Sequence, residues 1–255
     1  MTGTRSFGFA LLFAVLMGSA VVAQASAADK WAELSLLGDS LLVVREHGMT
    51  GTNLDPNVRE RVAIDDDSVD RLVLRALASA LAGATAPELL ALQIRDARLY
   101  ALQSRLLTTD EGAPFAQSLV KAAAGAGATH MLVIARDPGE FRVELSDSSV
   151  GIGIVDGLGF YVNRRTRLTD LKTRNTDVGF LAPFGRVRFM LVDLAAQRIV
   201  ADAPVKAVSL LSVAGSEASD PWDLLDSTGK VRELEKMLAR DAAPTLRQMF
   251  ARKPR

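Results

Sequence analysis

The chain has 255 residues, with 30 basic side chains, 30 acidic side chains and no cysteine. Its charged fraction of 24% and hydrophobic fraction of 49% exclude a disordered, collagen-like or disulfide-framed chain. A dedicated nucleic-acid-binding protein normally carries an excess of basic residues, whereas this chain has zero net charge. We therefore expect no nucleic-acid partner. Without cysteine there is no thiolate zinc site, iron–sulfur cluster or cysteine nucleophile.

Residues 1–27 have the features of a secretory signal peptide. Arg5 supplies the positive start, and residues 7–17 form an uninterrupted apolar stretch. Small residues follow in patterns that predict cleavage after Ala25 or Ala27. A membrane anchor is the alternative, but the apolar region is at the short limit of a bilayer span. We therefore expect a periplasmic or secreted protein, with no lipid anchor because no cysteine follows the apolar region.

The first half of the remaining chain alternates predicted strands and helices. Apolar residues recur at helical spacing over residues 69–81, and Gly83 is a suitable helix end. The other predicted elements are a strand at 33–46, a polar loop at 47–62, a strand at 89–95, helices at 98–107 and 114–126, and a strand at 129–135. This order favours an α/β sheet with parallel pairs and right-handed crossovers.

The second half predicts mainly strands. They are at residues 141–145 and 151–163, and in an antiparallel hairpin formed by 186–193 and 198–210. Pro204 predicts an edge position or a bulge, and Pro244 is expected to kink or divide a final helix that begins near residue 228. We expect one α/β domain over residues 28–251, with an α+β tendency: a mixed sheet that starts as parallel βαβα and ends in an antiparallel hairpin and a helix. A polar insertion at about 164–184 and a tail at 252–255 complete this prediction.

Residues 38–41 read Gly-Asp-Ser-Leu, the signature of GDSL-type esterases. A serine nucleophile needs a histidine to take its proton and donors to receive the developing charge. The chain has only His47 and His130, and neither lies in the late Asp-x-x-His block of that family. The apolar residues after Ser40 also continue a strand, where the family has a helix. We therefore predict no catalytic residue, and an esterase that uses Ser40 with either histidine stays as the alternative.

A glycine-rich stretch contains Gly151, Gly153, Gly157 and Gly159. A dinucleotide-binding loop would need its third glycine where Asp156 stands and a helix afterwards, whereas an extended aromatic segment follows. We therefore predict no cofactor. The glycines are compatible with a bulge, a sharp twist or a close backbone approach. They could also serve a small-ligand-binding protein, which predicts a concave apolar pocket beside residues 151–159.

Arg164, Arg165 and Arg167 begin a local basic cluster that Lys172 and Arg174 continue. A solvated loop is the simplest interpretation. The functional alternative is contact with an anionic partner, such as a lipid surface, a cell-wall polymer or the acidic face of an envelope protein. The two histidines lack metal-ligand spacing, so no metal site is predicted.

Two segments resemble a known periplasmic α/β domain. Residues 126–133 are similar to its helix-end turn into a buried strand, and residues 187–193 with 198–200 look like its paired strands around an Asp-centred turn. The domain is shared by the N-terminal part of TolB, the curli-secretion channel subunit and the outer-membrane activators of penicillin-binding proteins. The resemblance covers about residues 34–249, apart from the 164–184 insertion. It implies a non-catalytic envelope protein that binds other proteins in envelope assembly or maintenance.

Overall fold

A computed structural model describes residues 30–47, 57–64, 68–83, 87–93, 96–103, 112–146, 148–169 and 174–251. The predicted signal peptide, its cleavage sites and the predicted tail lie outside these residues. The described strands are β1 Lys30–Ser35, β2 Ser40–Arg45, β3 Val58–Ala63, β4 Glu88–Ala91, β5 His130–Arg136, β6 Gly139–Glu144, β7 Ser149–Val155, β8 Gly157–Thr169, β9 Thr176–Asp193, β10 Arg198–Val208 and β11 Leu211–Ser212. The helices are α1 Ser68–Leu81, α2 Ala97–Leu102, α3 Ala113–Gly125 and α4 Ser227–Ala251. Pro221–Leu224 form a 3₁₀ turn, which we call the Trp222 turn.

The sheet is mixed, as the sequence predicts. Its strand order is β3-β2-β8-β9-β5-β1-β4, and β10 and β11 also pair with β9. Strand β1 is parallel to β4 and β5, and β2 is parallel to β8. The predicted C-terminal hairpin is present as β9–β10, and the final helix is α4. The α/β fold class is therefore confirmed.

Strand β9 is the longest strand described and aligns the others. Its first part, residues 176–186, pairs with β8, and its last part, residues 187–193, pairs with β5. Strand β10 pairs with residues 184–193 along the opposite edge. Strands β5 and β8 therefore lie end to end along one edge of β9, and β1 and β2 lie end to end beside them.

Both faces of the sheet are covered. Helices α1 and α4 pack on one face, and α2 and α3 pack on the other face over β1 and β5. Strands β6 and β7 form a separate hairpin that covers the second face over β2 and β8. Alternate residues of β5 pack against opposite faces of the sheet. Leu132 and Ile134 face α1 and α4, whereas Met131 and Val133 face α2 and α3.

Some predicted boundaries differ from the structure. The predicted strand 33–46 is interrupted between β1 and β2, where Gly38 has a φ of +86°. The predicted strand 151–163 is likewise divided into β7 and β8, because Gly157 has a φ of +69°. Left-handed backbone of this kind is readily adopted by glycine and ends a straight strand. The last part of the predicted 47–62 loop belongs to β3, which pairs with β2. Its side chains are mostly polar and exposed, so the sequence pattern does not predict a strand there.

Within the predicted polar insertion at 164–184, residues 164–169 form the end of β8 and residues 176–184 form the first half of β9. These residues belong to paired strand segments that are largely exposed at 164–169 and 176–178, so they lack the apolar alternation that marks a covered strand. Pro204 lies in β10, which pairs only with β9 among the described residues, so the predicted edge position is confirmed. Helix α4 continues through Pro244, so the predicted division of this helix is wrong.

Gly159 allows β8 to approach β2 closely. It lies opposite Leu42, and a Cβ atom at position 159 would be 1.9 Å from the Leu42 carbonyl oxygen and 2.7 Å from the Phe184 ring. The first of these contacts is with backbone, which cannot rotate away. Only glycine therefore fits at this position, and the close approach considered from the sequence is present.

We expect Gly159→Ala to lower the free energy of unfolding by about 3 kcal/mol, because the added methyl group forces β2 and β8 apart. The measurement is urea unfolding followed by circular dichroism. Gly151→Ala is the matched control: a Cβ there meets no atom within 4 Å, so its effect should stay within about 0.5 kcal/mol. Equal effects of the two substitutions would contradict this assignment.

Glu33 of β1 carries a buried carboxyl group. It is 7% exposed, and its Oε2 has no hydrogen-bond partner among the described residues. Burial disfavours the charged form and raises the pKa of Glu33 to about 7. Because the pKa is higher in the folded state than in the unfolded chain, folding favours the protonated acid. Glu33 therefore costs nothing below about pH 4.5, and its cost grows as the pH rises to about 7.

Glu33→Gln removes this ionisation. We expect the variant to gain up to about 3 kcal/mol of stability over the original chain between pH 4.5 and pH 8, since one pKa unit corresponds to about 1.4 kcal/mol. Urea unfolding at the two pH values measures the difference. Glu144→Gln, at an exposed position on β6, serves as the control and should not reproduce it. A stability difference between Glu33→Gln and the original chain that is independent of pH would contradict the prediction.

Candidate functional site

The Gly-Asp-Ser-Leu segment forms the turn between β1 and β2. The Asp70 carboxylate, in the first turn of α1, accepts hydrogen bonds from the backbone N–H groups of Leu37 (2.9 Å) and Gly38 (3.1 Å). Ser40 begins β2 and pairs with Ala63. The segment therefore has a structural role as a strand connection.

Neither histidine lies near Ser40. Ser40 begins β2, which lies beside the start of β8, and the start of β8 pairs with Arg186 of β9. His130 instead pairs with Asp193, at the other end of β9. Seven residues of β9 separate Arg186 from Asp193, which corresponds to roughly 23 Å. His47 lies beyond the far end of β2, whose length alone is roughly 16 Å. The esterase alternative therefore lacks a base within hydrogen-bond reach of the serine.

Asp70 is the centre of a buried polar network that the sequence did not indicate. Its Oδ1 also accepts from the Ser35 hydroxyl at 2.5 Å, and its Oδ2 accepts from the Tyr100 hydroxyl at 2.9 Å. Burial raises the pKa of Asp70, while these hydrogen bonds act in the opposite direction. Four donors thus converge on one carboxylate from β1, the β1–β2 turn and α2. This arrangement suits the fixing of a turn.

Arg136 extends the network at the end of β5. Its Nη2 donates to the Leu37 carbonyl at 2.7 Å, and its Nη1 lies 3.9 Å from Asp156, which also pairs with Arg61 at 2.5 Å. Burial, assisted by the neighbouring charge of Arg61, lowers the pKa of Arg136. The carboxyl ends of parallel strands are common ligand sites in α/β folds. Here the charged groups neutralise one another, so the cluster ties the two halves of the sheet together.

The four predicted glycine positions do not form one surface. Gly159 and Gly157 are buried, and Gly157 lies against the Arg136 side chain. Gly153 has a φ of +77° beside the register shift of the β6–β7 hairpin, and Gly151 is exposed. Three of the four thus have a geometric role, in a bulge, a strand junction and a close approach. Their predicted binding role stays a prediction.

The predicted arginines lie at the base of a projecting β-hairpin. Pairing of β2 with β8 ends at Val162, and beyond it residues 167–169 pair only with residues 176–178 among the described residues. We call residues 164–169 and 176–179 the arginine arm. The side chains of Arg165 and Arg167 are exposed, and neither makes an ion pair within the described part of the chain.

The base of the arginine arm is fixed by three sets of contacts. Buried Asn163 accepts hydrogen bonds from the N–H groups of Arg165 (3.0 Å) and Thr166 (2.7 Å), which holds a bulge in β8. Gly179 has a φ of +110° and packs against Pro221. Arg164 donates to both oxygens of Asp220, at 2.7 and 3.2 Å. The structure therefore separates Arg164, which is an anchor, from Arg165 and Arg167, which face solvent.

A groove and a cavity lie on the face of the sheet that α1 and α4 cover. A groove of about 800 Å³ runs between α1 and α4 and is bordered by charged side chains, including Glu235, which pairs with Arg75 of α1. A second cavity, of about 520 Å³, lies between β2, β3, β8 and the start of α4 and is mainly apolar. It borders Phe160, and none of the four predicted glycines is among its lining residues, so the predicted pocket beside residues 151–159 stays a prediction.

Within the described residues, no helix combines the length and hydropathy needed to cross a membrane. The same residues contain no cluster of three or more histidine, aspartate or glutamate side chains placed to hold a metal ion. The part of the chain that the structure describes thus combines a structural polar network, an exposed basic arm, a charged groove and an apolar cavity.

Comparison with protein families and with curated proteins gives no match. Three solved bacterial structures are similar over most of the chain. Protein XCC0632 from Xanthomonas campestris, assigned to the family model DUF330, is 8% identical with a TM-score of 0.39, covering 88% of this chain and 84% of its own. The PelC dodecamer from Paraburkholderia phytofirmans is 13% identical with a TM-score of 0.31, covering 85% and 88%. The hypothetical protein CT253 from Chlamydia trachomatis is 12% identical with a TM-score of 0.37, covering 89% and 95%. At these TM-scores the likeness assigns neither a family nor a function to this chain.

The Asp70 network yields a stability prediction. Asp70→Ala leaves four donors without their acceptor, so we expect a loss of about 3 kcal/mol in the free energy of unfolding. Tyr100→Phe removes one of these hydrogen bonds and should cost about 1 kcal/mol. Urea unfolding of both variants gives the two values. A loss below about 1 kcal/mol for Asp70→Ala would show that the network does not hold the β1–β2 turn.

Proposed function

We propose that the protein is an exported, non-catalytic protein of the cell envelope that binds an acidic surface of another envelope protein through the arginine arm. The observation that carries the proposal is the pair of exposed arginines, Arg165 and Arg167, on a hairpin that projects beyond the sheet. An adaptor role in envelope assembly or maintenance follows from this binding mode and from the expected export.

The fixed base of the arm supports a binding role. Association costs conformational entropy whenever side chains or loops must become ordered. Asn163 and the Arg164–Asp220 pair already hold the base of the hairpin, so less of this cost remains. An arginine guanidinium can donate two parallel hydrogen bonds to a carboxylate, which suits an acidic protein face better than a diffuse negative surface does.

The arrangement of the catalytic candidates supports a non-enzymatic role. Ser40 lies in a strand connection that Asp70 fixes, and His130 lies against Trp31 with a ring-centroid distance of 4.9 Å. The Nδ1 of His130 is 3.0 Å from the Thr129 hydroxyl. Serine and imidazole thus belong to different structural environments at different ends of the sheet.

The test is crosslinking in intact cells that express a C-terminally tagged copy, followed by purification and mass spectrometry. We expect a reproducible envelope protein that is reduced about tenfold or more when Arg165 and Arg167 are both changed to glutamate, because two attractive charges become repulsive. The matched control changes Arg232 and Lys236 of α4 to glutamate. It alters the net charge equally at another exposed site and should keep the partner.

Thermal unfolding establishes that both double variants fold. Equal loss of the partner in the two variants would show a general charge effect and contradict the arm as the binding site. Recovery of anionic lipid or cell-wall polymer in place of a protein would also contradict the proposal. The mature N-terminus in the same sample tests export: a chain that begins at Met1 contradicts it, and one that begins at Ser26 or Ala28 supports it.

A further inference from the structure

The smaller cavity has the composition of a ligand site. We call it the Trp222 cavity; its volume is about 520 Å³, within the usual range for small-molecule sites. Strands β2 and β8 form its floor, β3 forms one wall, and the Trp222 turn and the start of α4 complete it. The lining side chains that matter here are Leu41, Val43, Val62, Phe160, Trp222 and Val231.

The apolar side chains around the cavity differ in how deeply they are buried. Leu41, Val43 and Phe160 are buried, but Val62 and Val231 are only partly buried on its walls. Partly buried apolar side chains around an open volume lose contacts that a well-packed interior would supply. An apolar group that enters the cavity would restore those contacts.

A cation lies at the edge of this apolar surface. The ammonium group of Lys230 is 4.3 Å from the centre of the Trp222 ring and donates to the Leu225 carbonyl at 2.6 Å. Burial lowers the pKa of Lys230, while Asp223 and Asp226 act in the opposite direction. No carboxylate of the described residues lies within ion-pair distance of the ammonium group. An ammonium group carries three donors, so Lys230 retains capacity for an anion.

Other charged groups lie near the cavity, including Asp223 and Asp226, which act on the Lys230 ammonium group. Arg45 and Asp226 have partners of their own. Arg45 lies 5.9 Å from the centre of the Trp222 ring, but it pairs with Glu60 at 2.5 Å. The Asp226 side chain accepts from the N–H of Gly229 at 2.6 Å and so caps the start of α4. Lys230 is therefore the group that can meet a negative ligand at this site.

We propose that the Trp222 cavity binds a long-chain fatty acid, with the hydrocarbon chain in the cavity and the carboxylate at Lys230. The apolar lining would contact the hydrocarbon chain, and the Lys230 ammonium group at the edge of that lining would pair with the carboxylate. The volume suits a single chain. Affinity should rise about fourfold with each added methylene until the cavity is full.

Fluorescence quenching tests the proposal directly, because the chain has two tryptophans in different surroundings. Trp222 lines the cavity, whereas Trp31 is buried against His130 and Phe250. Dibromostearate, added to the full exported chain below its micelle concentration, should quench the Trp222 emission saturably. In Trp222→Phe, the remaining emission comes from Trp31 and should not be quenched. The larger side chain of Val62→Trp fills the cavity, so this variant should not bind the non-brominated acid.

The headgroup is tested separately. Lys230→Met should weaken binding of dibromostearate about tenfold, as expected for the loss of a charge-assisted hydrogen bond, and Lys230→Arg should largely restore it. Lys236→Met, at an exposed position on the same helix, is the matched control and should bind normally. Circular dichroism shows whether each variant is folded.

Three results would overturn the proposal. The first is an absence of saturable quenching in the folded chain. The second is quenching that persists in Trp222→Phe, which would place the ligand elsewhere. The third is equal binding by Lys230→Met, or equal binding of an alkyltrimethylammonium ion with the same chain, which would remove the role of the carboxylate.

Discussion

The uninterrupted strand β9 is the constraint on which the rest of the structure depends. Along one edge it holds β5 and β8 end to end, and these two strands position β1 and β2 beside them. The positive φ angles of Gly38 and Gly157 allow the chain to change direction at the starts of β2 and β8. The β6–β7 hairpin lies between β5 and β8 in chain order. Two short parallel segments thus become one continuous surface with both faces covered.

The Trp222 turn links the two surfaces to which we assign binding roles. Asp220, at its start, accepts from Arg164 at the base of the arginine arm and from the backbone N–H of Trp222. Pro221 packs on Gly179 of the arm, and Trp222 packs edge-on against Phe160 in the cavity. A ligand that moves Trp222 would therefore act on residues that directly anchor the arm. The proposed fatty-acid site and the proposed protein-binding arm are separate claims that share this turn.

The sequence predicts those elements whose pattern is local. Helix α1 follows from apolar residues at helical spacing, and the β9–β10 hairpin follows from two apolar runs around a short turn. The arm is not predicted because most β8 side chains beyond Asn163 are polar and exposed, so Arg165 and Arg167 look like part of a loop although Leu168 packs against the core. The Trp222 cavity is not predicted from the sequence because Val62, Phe160 and Lys230 are far apart in the chain. They come together only through β-sheet pairing and the docking of α4. Likewise, Gly-Asp-Ser-Leu resembles a catalytic motif. The apolar residues after Ser40 already predict a strand there, and the hydrogen bonds of Asp70 then show that Gly38 lies in a turn.

The central claim is that the arm contacts a protein partner in the envelope. The most direct measurement places a photo-crosslinking amino acid at Val178, which is 41% exposed on the arm and leaves its arginines intact. Val58, which is 50% exposed on β3, receives the same amino acid as a control. Irradiation of intact cells should give a discrete crosslinked protein from position 178 and none from position 58. A crosslinked product from position 58 with none from position 178 would contradict the account.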